Sequence, residues 1–299
     1  MNARRLVYTM SVLACTLIAI FWQRELADES TEVVGASTTA ATSESMTESS
    51  KQPVEQSAAL LSIHQTLLSS LTAESLATIR CDRHAIRAVH EAFRSKLATS
   101  VGPALGKLSD LDEKVIVACA VAYWSAPYGQ SQALEFDDLR QSTALNCLNY
   151  GLLTWYFLEA LCAEADLPTV KFVGWESDTI GNHQLMFIES GDKTSSLIVD
   201  STIGLIARAD FDQVASSRQV DSAAMVLVGN RPDIQPLRDR IVTALKAGSL
   251  RPSELLYSYQ GKDSFLKAMR AFQADRKSLY DWATPGVVIW RRRYHPEDQ

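Results

Sequence analysis

The sequence predicts an α+β fold for the body of this 299-residue chain. Three observations carry that reading. Apolar residues recur at helical spacing ahead of residue 162 and again beyond 206, a block from Thr169 to Asp200 alternates as strands do, and Pro, Gly and Asp mark the boundaries between them. With 46% hydrophobic and 21% charged residues, the composition suits one globular domain with appendages. The net charge of −6 gives no electrostatic case for nucleic acid, and the Arg291-Arg292-Arg293 run reads as a solvated end. Cysteines 15, 81, 119, 147 and 162 form neither a CxxC pair nor a Cys/His cluster at zinc spacing, so neither a metal nor a cofactor is expected. A Walker loop, a GxGxxG turn and an HExxH helix are also missing from the sequence.

Residues 1–27 read as a membrane anchor or signal segment. Leu6 to Trp22 is an uncharged apolar run that just reaches spanning length. Arg4 and Arg5 before it, with Glu25, Asp28 and Glu29 after it, favour a cytoplasmic N-terminus. A cleaved signal peptide and a lipoprotein acylated at Cys15 are the alternatives, but no small-x-small site follows the run and the run continues past Cys15. All three place the body in the periplasm or outside the cell, on a single-pass anchor or a processed end. Residues 28–58 are dominated by Ser, Thr, Ala and Glu, and read as a disordered tether that cannot bury enough apolar surface to offset its ordering entropy.

Residues 59–299 form the folded part. Leu60, Leu61, Leu67, Leu68 and Leu71, then Ile86, Val89 and Phe93, recur at helical spacing. Asp110-Leu-Asp-Glu opens a helix expected to run through Trp124, its acids suiting the positive N-terminus. His64, His84 and His90 fall in these helices and read as surface or packing residues. Another helix follows from Leu148, with Leu152, Trp155, Leu158 and Leu161 near one face and Asn146, Ser142 or Thr143 as its cap. It must end before Pro168. Thr169–Val173, Asn182–Ser190 and Ser196–Asp200 then read as three strands, the last two joined by a turn at Gly191-Asp192. Beyond Ile206 helices are expected over Leu237–Leu245, Ser253–Tyr259 and Ser264–Phe272, followed by an aromatic segment from Tyr280 to Trp290.

The segment with chemical potential lies in the middle. Cys147 falls at the start of its helix, where unpaired backbone N–H groups and the helix dipole favour a thiolate. If Gly191-Asp192 centres a two-residue hairpin, His183 lies opposite Asp200, on one face and within reach of a hydrogen bond. A slip of one residue would separate them. Cys162 lies about 22 Å further along the same helix and cannot bridge to Cys147. Cys81 and Cys119 read as free thiols, although a disulfide between them is open to sequence reasoning.

This order of residues resembles the transglutaminase-like superfamily: a cysteine opening an apolar helix, Leu167-Pro168 before a strand ending in Gly174, a His starting a strand and an Asp ending the next. Asn146-Cys-Leu-Asn-Tyr150 is similar to the family's Gly-Asp/Glu-Cys-x-x-Tyr/Phe segment, and Asp200-Ser-Thr to its Asp-Pro-Thr. The resemblance spans about Gln141 to Gly204, roughly a fifth of the chain. It implies a papain-like transglutaminase core, in which the helix bearing the cysteine packs on an antiparallel sheet bearing the His and Asp. Cys147 would be the nucleophile, His183 the general base and acid, and Asp200 the carboxylate orienting it, giving a cysteine hydrolase or acyltransferase that acts on amide bonds of a protein or cell-envelope peptide. Gln141, six residues upstream of Cys147, resembles the oxyanion glutamine of papain-like proteases in spacing; Trp124 or Tyr128 would serve as the upstream aromatic more usual in transglutaminases. Asn146, Gln184 and Ser201 depart from the family's usual residues. The other class of function consistent with the sequence is a catalytically idle domain of this type, serving as an envelope binding or assembly module.

Overall fold

A computed structural model describes residues 71–189 and 196–274. The anchor, the tether, the helix expected around 60–68, the Gly191-Asp192 turn and the aromatic segment 280–290 lie outside the described residues. The first half is helical: α1 (Ala73–Cys81), α2 (Ile86–Ser100), α3 (Gly102–Leu105), α4 (Asp110–Trp124), α5 (Phe136–Gln141) and α6 (Cys147–Leu161). The second half carries the strands β1 (Thr169–Ser177), β2 (Gly181–Glu189), β3 (Ser196–Asp200), β4 (Leu205–Arg208), β5 (Met225–Leu227) and β6 (Leu255–Gln260), with α7 (Phe211–Ala215), α8 (Gln235–Ala247) and α9 (Lys262–Ala274) between and after them. The fold class is α+β, with one six-stranded sheet in the order β5-β4-β3-β2-β1-β6 and every neighbouring pair antiparallel.

The helices that pack deepest are apolar over most of their length and on every side. Val115 to Tyr123 of α4 and Asn149 to Leu158 of α6 are buried residue after residue. Helices apolar all round are core helices rather than amphipathic surface ones. The two pack against each other, and α6 also lies on β2 and β3. Both begin with a capping box. Ser109 and Asp112 exchange side-chain bonds with each other's backbone N–H at the start of α4, and Asn146 and Asn149 do so at the start of α6. Such a box satisfies two of the donors that a helix N-terminus leaves unpaired.

Three expectations need correction. The segment Ser253–Tyr259 is not a helix: residues 255–260 form β6, which pairs with β1 and closes that edge of the sheet. Its Leu255, Tyr257 and Tyr259 are buried at alternate positions, and Tyr257 and Tyr259 pack beside Phe265 of α9, which stacks on Phe172 of β1 with 4.4 Å between ring centroids. The chain beyond Ile206 is also not purely helical, since β4 runs to Arg208 and β5 follows, extending the sheet at its other edge. The register of β2 with β3 differs as well. A two-residue turn would pair Met186 with Leu197, whereas Met186 pairs with Val199 and Glu189 with Ser196. The shift is two residues, an even number, so the side chains of His183 and Asp200 keep a common face.

Candidate active site

Asn146 caps α6 with extended backbone, its side chain accepting from Asn149 N–H at 3.1 Å while Asn149 Oδ1 accepts from Asn146 N–H at 3.0 Å. Cys147 is therefore the first helical residue, with its backbone N–H among those that have no intrahelical acceptor. The Cys147 side chain is half-buried, and the four described cysteines, 81, 119, 147 and 162, are all unpaired. The amide groups of the cap residues also reach outward. Asn146 Nδ2 donates to Ser131 O at 2.7 Å and Asn149 Nδ2 to Ala133 O at 2.6 Å, fastening the start of α6 to the segment before α5.

His183 lies in β2, paired with Trp175 of β1, and Asp200 is the last residue of β3. His183 Nε2 and Asp200 Oδ2 are 2.8 Å apart, and each residue is about 1% exposed. The second carboxylate oxygen of Asp200 accepts from Thr202 N–H at 3.1 Å, so both oxygens are held. Ser201 Oγ lies 2.6 Å from Thr154 Oγ1, which donates to Tyr150 O; the turn after β3 is thereby tied to α6. Burial opposes a charge on the His183 imidazole, but the Asp200 charge and hydrogen bond, reinforced by Cys147, outweigh it and raise the pKa to about 10. Nδ1, the remaining ring nitrogen, is buried without a well-aligned hydrogen-bond partner. Cys147 nonetheless interacts with the ring by hydrogen bonding and charge.

The expected oxyanion donors are placed differently from one another. Gln141 ends α5 and is exposed. Trp124 packs beside Tyr123 and over Gly229. Tyr128 runs alongside Leu145, two residues before Cys147: Gly129 N–H donates to Leu145 O at 2.9 Å and Leu145 N–H to Pro127 O at 3.0 Å. Its phenol is held well above the usual range by desolvation and by the negative charge of Cys147 and Asp200, although 42% of the residue is exposed. The site is thus closed at His183 and Asp200 and open at Cys147 and Tyr128. Burial pushes the Cys119 thiol up to about 12 and raises that of Cys162.

Among the described residues, His90, Asp110 and Glu113 bring metal-capable atoms within 4.8 Å of one another. Both carboxylates already pair with cations, Asp110 with Arg94 at 3.0 Å and Lys114 at 2.6 Å, and Glu113 with Arg94 at 3.1 Å. Sequence reasoning passed over Arg231 and Asp233, which fasten the Tyr128 segment; the only local signal is an Arg two residues before an Asp, across Pro232. In comparisons with protein-family models, curated proteins and solved structures, nothing matches this chain.

Proposed function

We propose that this chain is a transglutaminase-like thiol enzyme that transfers or hydrolyses acyl groups from amide bonds, with Cys147 as nucleophile, His183 as proton carrier and Asp200 as the orienting carboxylate. The observation that carries the reading is the buried 2.8 Å His183–Asp200 pair with Cys147 acting on the same ring from the start of α6. Cys147 Sγ, as a thiolate beside the protonated His183 ring, attacks the amide carbonyl carbon. The resulting oxyanion is bonded by the Cys147 backbone N–H and the Tyr128 phenol. A phenol with a raised pKa stays protonated, which keeps it a donor. Collapse breaks the C–N bond, the departing amine takes the proton from His183, and a thioester remains on Cys147. Water or an incoming amine, deprotonated by the now neutral His183, then attacks the thioester and expels the thiolate, which restores the starting pair. Asp200 fixes the ring orientation and stabilises its charged form.

The apolar run at residues 6–22 supports a body held outside the cytoplasm, where the substrates would be envelope proteins or peptides. The experiment is acylation by 4-nitrophenyl acetate, with the labelled residue located by mass spectrometry. Cys147 should form a thioester faster than the exposed Cys81, and His183→Ala should abolish the difference. Equal, slow labelling of both thiols in the wild-type protein would instead support the idle binding or assembly module.

A further inference from the structure

We propose that Arg231 and Asp233 are positioning residues for this site, clamping the irregular segment 126–128 onto the start of α6 so that Tyr128 meets the developing oxyanion. This inference rests on the acyl-transfer reading above. Between α4 and α5 the chain has no regular structure beyond the Tyr128–Leu145 bridge, yet many of its carbonyls are bonded by side chains. Arg80 Nη1 donates to Ser125 O at 3.1 Å, Tyr150 Oη to Ala126 O at 2.6 Å, and Tyr156 Oη to Leu134 O at 3.2 Å. Buried backbone groups need such partners, and a loop supplied with them is held in one shape.

Arg231 is the centre of the arrangement. It is only 8% exposed, and its Nη1 donates to Tyr123 O at 2.6 Å, Ala126 O at 2.8 Å and Tyr150 Oη at 3.0 Å. One guanidinium edge thereby joins the end of α4, the loop and the first turn of α6. The other side is held by Asp233, with Nε to Oδ1 at 3.1 Å and Nη2 to Oδ2 at 2.5 Å. Asp233 Oδ2 in turn accepts from Tyr128 N–H at 3.4 Å. Hydrogen bonding to Arg231 keeps the Asp233 carboxyl below its usual range, so the clamp stays ionised at neutral pH. A rigid planar fork suits this task, and lysine, with a single flexible ammonium, does not reproduce it.

The test uses the full chain and two probes of Cys147. Acylation by 4-nitrophenyl acetate passes through an oxyanion; alkylation by iodoacetamide does not. Tyr128→Phe, Asp233→Ala and Arg231→Lys should each slow acylation, by up to about 10²-fold for the loss of one donor, while changing alkylation by less than about twofold. Asp233→Asn, which keeps the side-chain shape, serves if Asp233→Ala loses its fold by circular dichroism. Asp233→Ala combined with Tyr128→Phe should be no slower than Tyr128→Phe alone. The clamp is overturned if the two effects multiply, if Asp233→Ala leaves acylation unchanged, or if it slows both probes equally. A wild-type Cys147 acylated no faster than Cys81 would overturn the enzyme reading along with it.

Discussion

Replacing Asp200 with Asn preserves the shape of the side chain and removes the charge that holds His183 protonated. In the folded protein the imidazole pKa is raised from 6.5 to about 10 despite burial, which acts the other way. The pair therefore contributes stability that is fully present below pH 6.5 and is lost as the pH rises through about 10. At about 1.4 kcal/mol per pKa unit, the contribution has a ceiling on the order of 5 kcal/mol. Whole domains are stable by only about 5–15 kcal/mol, so its loss should be plain in urea unfolding measured from pH 5 to pH 9. Wild-type stability should fall steadily above pH 6.5. In Asp200→Asn burial is opposed by Cys147 alone, the folded pKa falls, and the loss of stability above pH 6.5 should shrink. Parallel pH profiles for the two proteins, or a flat wild-type profile, would refute the coupling of His183 to Asp200.

Removing the cap by Asn146→Ala should cost about 1 kcal/mol in the urea midpoint and loosen Ser131, which Asn146 Nδ2 now holds. Gly151, four residues beyond Cys147 on α6, lies against Gln184 of β2; a Cβ there would meet Gln184 Nε2 at 2.6 Å. Gly151→Ala should therefore push the end of the Gln184 side chain off its bond with the Tyr257 hydroxyl and destabilise by about 1 kcal/mol in thermal melts. Phe265→Ala removes the ring stacked on Phe172 and should cost about 3–5 kcal/mol by denaturant titration, lifting α9 from β1 and β6.

The parts of the fold with strong local punctuation were legible in the sequence. The start of α6 to within one residue, Asn146 among its three candidate caps and its end before Pro168 follow from residue type, as do α4 and the three strands between 169 and 200, although β1 runs four residues past the expected Val173. The strands β4 and β5 have four and three residues, too few for alternation to stand out. In β6 the adjacent Leu255, Leu256 and Tyr257 satisfy either periodicity, and the partner that decides, β1, is distant in sequence. The His183–Asp200 pairing was found by way of a register wrong by two residues, and it held because alternation repeats every two. The Arg231 clamp had no such route: its bonds to Tyr123 and Ala126 span 108 and 105 residues, and a lone arginine carries no periodic signal.

The central claim is that His183 makes Cys147 a nucleophile, and alkylation by iodoacetamide at pH 6 tests it most directly. Cys147 should react on the order of tenfold faster than Cys81, an exposed free thiol in the same chain, and His183→Ala should bring the two rates together. Equal rates in the wild-type protein, or a Cys147 rate untouched by His183→Ala, would contradict the account.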